Sequence, residues 1–103
     1  MTRSANPLRG EASITLAGKA YVLRPSFENL VAAEEELGPL FALVDRASGG
    51  ALTLHEMGAL LWHCIQTDDR PARAQIGEAL LEMGLVAATQ PVRAILAQVL
   101  QGR

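Results

Sequence analysis

Two histidines and a cysteine, His55, His63 and Cys64, are the side chains of this sequence best suited to chemistry. His55-Glu56 opens like the H-E-x-x-H zinc motif, but Ala59 stands where that motif requires its second histidine. On a helix, His55 and His63 are separated by roughly 80° of rotation and two turns, too far to share one metal. His63 and Cys64 are adjacent and point in different directions. The expectation is two solvent-facing histidines and a buried small thiol. Asp68-Asp69 lacks the ligand ladder and glycine of a calcium loop and is expected to cap a helix that follows it. Ser4, Ser13, Ser26 and Ser48 have no nucleophile motif such as G-x-S-x-G around them, and there is neither a Walker loop nor a G-x-G-x-x-G. The expectation is a protein that is not an enzyme and has no catalytic residue, cofactor or bound metal.

The bulk properties point the same way. A chain of 103 residues, half of them apolar, is the size of one domain with one core. A net charge of −2 creates no field that would attract nucleic acid or an anionic membrane. With Cys64 as the one cysteine, no intrachain disulfide can form, which suits a reducing compartment. Met1 to Gly10 is polar, contains Pro7 and has no apolar h-region, so no secretory signal is expected there. No apolar run approaches the ~20 residues that span a bilayer. A cytoplasmic protein is expected.

The elements that must position these residues follow from periodicity. Residues 1–10 read as a flexible arm, and 11–103 as a single domain, with a β-hairpin over 11–24 and a helical part over 26–103. In the hairpin, Ala12, Ile14 and Leu16 alternate with polar residues, Tyr21 and Leu23 oppose Ala20 and Val22, and Ala17-Gly18 supplies the turn. Ser26 caps a first helix over Phe27–Leu37, which Gly38-Pro39 stops. Pro39 opens a second helix to about Ala47, ended by Gly49-Gly50. Thr53 and Glu56 form a T-x-x-E capping box, with Leu52 and Met57 at staple positions, for a third helix to about Gln66. Pro71 leads into a fourth helix ending at Gly84. Thr89 and Pro91 open a fifth. The fold class is thus α+β, an N-terminal β-hairpin followed by about five short helices.

Three faces carry information. On the first helix Phe27, Leu30, Val31 and Leu37 form an apolar stripe with Glu34 in its middle, so Glu34 is expected partly buried beside Arg24. The third helix is apolar over more than the roughly 100° of an ordinary surface helix, as befits a central helix or one that meets both a core and a partner. Its Leu54, Met57, Leu61 and Trp62 are the expected partner interface, with Trp62 near the monomer surface and covered by an oligomer or client. The fifth helix places Val92, Ile95, Leu96, Val99 and Leu100 on one side.

Several segments together resemble a known family. They are the opening Asn6-Pro7-Leu8-Arg9-Gly10-Glu11, the hairpin with Leu16, Gly18, Tyr21 and Leu23, the first helix with Leu30, Glu34, Glu35 and Leu37-Gly38, and the T-x-x-E start of the third. They resemble the small tail-assembly proteins of gene transfer agents and tailed phages, grouped with tail assembly chaperones and sometimes labelled a tail tube protein. The resemblance runs to about residue 66, after which Cys64 to Asp69 replaces a glycine-containing turn. It implies no catalytic residue. It implies a chaperone that masks the tape-measure protein during tail assembly in the bacterial cytoplasm. The alternative is a structural tube or connector component retained in the particle. A third reading takes the last two helices as a helix-turn-helix and the chain as a DNA-binding regulator. The expected partners are tape-measure or other tail proteins and further copies of the chain, with no nucleic acid and no membrane.

Overall fold

A computed structural model describes residues 12–16, 18–65, 68 and 70–102. The expected arm over 1–10 lies outside the described residues. The element order is β1 (Ala12–Leu16), β2 (Lys19–Leu23), α1 (Phe27–Leu37), α2 (Leu40–Ser48), α3 (Leu54–Cys64), α4 (Arg73–Met83) and α5 (Leu85–Gln101). The α+β architecture, a hairpin followed by five helices, is the one read from the sequence.

The hairpin is antiparallel, with Ile14 opposite Tyr21 and Leu16 opposite Lys19. Gly18 takes φ 81° in the turn, a value that suits glycine because it has no Cβ to clash. Period-2 alternation puts Ile14, Leu16, Tyr21 and Leu23 on the buried face. Two strands cannot bury a core alone, and here the sheet is anchored to α3. Leu23 bridges to Ile65, and Arg24 N–H donates to the Cys64 carbonyl at 2.7 Å.

The middle of the core is α3. Met57, Ala59, Leu60, Leu61, His63 and Cys64 are all buried, and the helix packs against α1, α4 and α5. Its over-wide apolar face is explained by this central position. Each fully buried leucine stabilises the fold by about 1.5–3 kcal/mol. The capping box is formed as expected: Thr53 Oγ1 accepts from Glu56 N–H at 3.1 Å and Glu56 Oε1 from Thr53 N–H at 3.0 Å.

Three local expectations are corrected. First, α1 is rotated about its axis: Ala33 is fully buried, whereas Phe27 is 83% exposed and Val31 also faces solvent. The small Ala33 lets α1 approach α3 closely, and Leu30 and Leu37 flank it against the core. Second, the cap of α4 is not an aspartate. Ala72 occupies the N-cap position, and its N–H donates to Gln75 Oε1 at 3.0 Å. Third, α5 begins directly after Gly84, and Pro91 lies inside it. Proline lacks an N–H, so one intrahelical bond is lost there without ending the helix. The true break is Gly84, which has a φ of 94° and where the chain bends by 119° between α4 and α5. No single helix among the described residues is long and apolar enough to cross a membrane.

Candidate functional site

The chemistry-bearing side chains converge on one carboxylate, Glu36, on the last turn of α1. Arg73, in the first turn of α4, grips it with both guanidinium arms, Nη1 to Oε2 at 2.7 Å and Nη2 to Oε1 at 2.5 Å. His63 Nε2 stands 2.9 Å from Oε1 and His55 Nε2 3.3 Å from Oε2. Bidentate, charge-assisted pairing of this kind is among the stronger hydrogen bonds available to side chains. The Arg73 and His63 bonds hold the Glu36 carboxyl down at about 2, although partial burial works in the other direction. The same Glu36 bond raises the Arg73 guanidinium above its ordinary value.

The two histidines therefore share a partner although they stand two turns apart. His63 is buried instead of solvent-facing, while His55 remains exposed. The tautomer that donates from His63 Nε2 to Glu36 leaves Nδ1 a buried acceptor, and among the described residues Nδ1 has no partner. Among the described residues no group of three or more His, Cys, Asp or Glu could hold a metal ion. The Glu36 oxygens accept from the Arg73 guanidinium and stand within reach of both histidine rings. Cys64 is fully buried, and desolvation pushes its thiol up to about 12 despite the nearby charge of Arg70. The geometry joins helices α1, α3 and α4.

Next to this cluster lies Trp62. Its Nε1–H donates to the Pro71 carbonyl at 2.9 Å, and the guanidiniums of Arg70 and Arg73 lie 4.5 and 4.4 Å from its ring centre. Arg70 also donates to the carbonyls of Ile65 and His63 at 2.9 and 2.7 Å and to Asn29 Oδ1 at 3.2 Å. It thereby satisfies the last carbonyls of α3, where a cation also complements the helix dipole. Asn29 in turn donates to the Arg24 carbonyl at 2.9 Å. Hairpin end, α1, α3 and the segment before α4 are tied at one point.

The expected interface on α3 is dispersed. Met57 and Leu61 are core residues at 5% and 0% exposure, and Leu54 is on the surface. Trp62 is half-buried under arginines of its own chain. The expected buried Glu34–Arg24 pair is not found either. Glu34 is exposed, and its carboxylate accepts from Leu40 N–H at 2.9 Å. Pro39 precedes α2 and has no side-chain acceptor, so a carboxylate from α1 caps that helix in its place. Glu36, Arg70 and Arg73 were not singled out from the sequence. One signal was available: Glu36 lies three residues after Ala33, on the face of α1 that turns toward α3.

Half of the large exposed apolar side chains line a groove elsewhere, whereas Phe27, Val31, Leu54 and Leu81 lie outside it. Three adjoining cavities, of about 240, 260 and 200 Å³, run between α2 and α5. Ala47 and Arg93 are common to the first two, and Val44 and Leu100 to the last two. Four large side chains on this groove are exposed: Phe41, Leu85, Val86 and Leu100.

Fold and surface together define a small, mostly helical protein whose polar clusters hold it together and whose apolar groove faces outward. The chain belongs to the phage tail tube protein, GTA-gp10, family, whose model matches residues 9–102. It is a phage tail protein of the gene-transfer-agent type, and other tail proteins are its partners. The match extends beyond residue 66 and takes in α4 and α5, which the segments read from the sequence did not reach. No curated protein and no solved structure matches the chain.

Proposed function

We propose that this chain is a non-catalytic tail-assembly chaperone that covers apolar stretches of the tape-measure protein and leaves before the tail is finished. The observation that carries this reading is the open apolar groove on a helical body whose sheet has two strands among the described residues. Helical clients with apolar stripes aggregate until they are covered, and a groove between helices can cover them reversibly. A tube subunit that closes into rings would ordinarily bring a larger sheet. The work is done in the cytoplasm of the host, where tails are built.

A second reading is a structural tube or connector component retained in the particle. The description of the family as a tail tube protein favours it directly and speaks for it more than for the chaperone. The DNA-binding reading has little support: between Leu85 and Gln101 the one basic residue is Arg93. Two measurements separate the first two readings. Co-expression with the tape-measure protein should give a soluble complex whose stability depends far less on salt than binding to a nucleic acid would. Mass spectrometry of purified particles should find little or none of this chain. Many copies per tail, with no capture of the tape-measure protein, would replace the chaperone with the structural component.

A further inference from the structure

We propose that the α2–α5 groove receives an amphipathic helix of a partner protein that carries a carboxylate beside its apolar stripe, and that Arg93 pairs with that carboxylate. The identification of that partner as the tape-measure protein rests on the chaperone reading above.

The groove has the length of a helix seat. Its α5 wall runs from Leu85 through Thr89, Val92, Arg93, Leu96 and Leu100, about 22 Å at 1.5 Å per residue. That length matches four turns of a bound helix presenting apolar side chains at i, i+3 or i+4, and i+7. Phe41 at 76% exposure and Val86 at 87% stand near opposite ends of it.

Charge selects the occupant. Arg93 is exposed, lines both of the first two cavities and lies near the midpoint of the groove. Among the described residues it forms no hydrogen bond or ion pair, unlike Arg46, Arg70 and Arg73. Glu34, at the far end, is already engaged by Leu40 N–H. A second copy seated face to face along this groove would bring the two Arg93 side chains together, because the arginine sits near the centre of the face. Like charges at the middle of an interface oppose association. A heterologous helix with Asp or Glu at that level removes the conflict.

The test uses the full-length protein and fluorescent peptides of about 20 residues tiling the tape-measure protein of the same particle, read by anisotropy. Peptides that combine the apolar spacing with an acidic residue at the stripe edge should bind. Arg93→Glu should weaken them on the order of tenfold, and replacing the peptide's acidic residue with arginine should restore binding to that variant. Val86→Asp should also weaken binding, whereas Phe27→Ser, an exposed aromatic outside the groove lining, should not. Circular dichroism confirms that each variant is folded. Binding that ignores Arg93→Glu and Val86→Asp, the absence of any bound peptide, or a dimer that Val86→Asp dissociates would overturn the proposal. If the groove binds as stated but finished particles retain the chain, the chaperone reading fails and the groove assignment stands.

Discussion

Replacing Glu36 by glutamine should destabilise the protein at neutral pH and erase part of its acid sensitivity. Glu36 has its folded-state carboxyl depressed from 4.5 to about 2, first by the Arg73 hydrogen bonds and then by His63. A depressed carboxylate contributes stability that is present above its unfolded value. That contribution is lost as pH falls from there through the folded value. The window is therefore about pH 4.5 down to about 2. The full shift would correspond to about 3 kcal/mol, but solvent reaches 26% of the Glu36 side chain. Screening of this solvent-exposed pair lowers the expected contribution to about 0.5–1 kcal/mol. In a domain of this size that is a fall in Tm of roughly 2–8 °C. Urea unfolding from pH 7 to pH 2, followed by circular dichroism, should show Glu36→Gln less stable than the native chain at pH 7, with the gap closing toward pH 2. Glu56, also depressed, titrates in both proteins and cancels in the difference. A gap independent of pH would refute the assignment of the acid-labile contribution to Glu36.

Leu61→Ala, which empties a fully buried site in the central helix, should cost about 2–5 kcal/mol, read as a drop in the urea midpoint. Gly84→Ala should cost about 1–2 kcal/mol, because φ of 94° strains any residue with a Cβ, whereas Gly77→Ala in α4, where an added Cβ meets nothing, should be neutral or stabilising. Cys64, buried and with its thiol pushed up to about 12, should ignore a thiol reagent at pH 8 until the protein is unfolded; prompt labelling of the native chain would contradict its placement.

The elements with local signals were legible in the sequence. Thr53 and Glu56 fix the start of α3 between themselves, and Ser26 does the same for α1, where its Oγ accepts from Asn29 N–H at 3.2 Å. Strand alternation with Gly18 fixed the hairpin. Helix rotation was harder, because Phe27, Leu30, Val31 and Leu37 make as good a stripe on paper as Leu30, Ala33 and Leu37. The outcome was decided by a small residue that permits close approach to α3, which hydropathy undervalues. Pro91 misled because proline opens helices so often, while the break at Gly84 is a single residue. The Glu36 cluster was out of reach for another reason. Its members are up to 37 positions apart, and only the packing of α1, α3 and α4 brings them together. Arg70 likewise reaches Asn29 across 41 positions, and no local pattern announces that.

The connections around the groove divide its two walls by freedom of movement. A lone residue, Gly84, separates α4 from α5, so the start of α5 is held close to the end of α4. The buried side chains Ala88, Val92, Ile95 and Leu96 of α5 also hold it to the core. By contrast α2 hangs between residues 38–39 and 49–53, with Leu43 as its buried anchor. On the proposed reading, a guest wider or narrower than the cleft would be accommodated by α2, which has the longer connections, sooner than by α5. For the helical guest proposed above, the wall formed by α5 would set the register and the wall formed by α2 the girth, which suits a long client whose side chains differ in size but repeat in spacing.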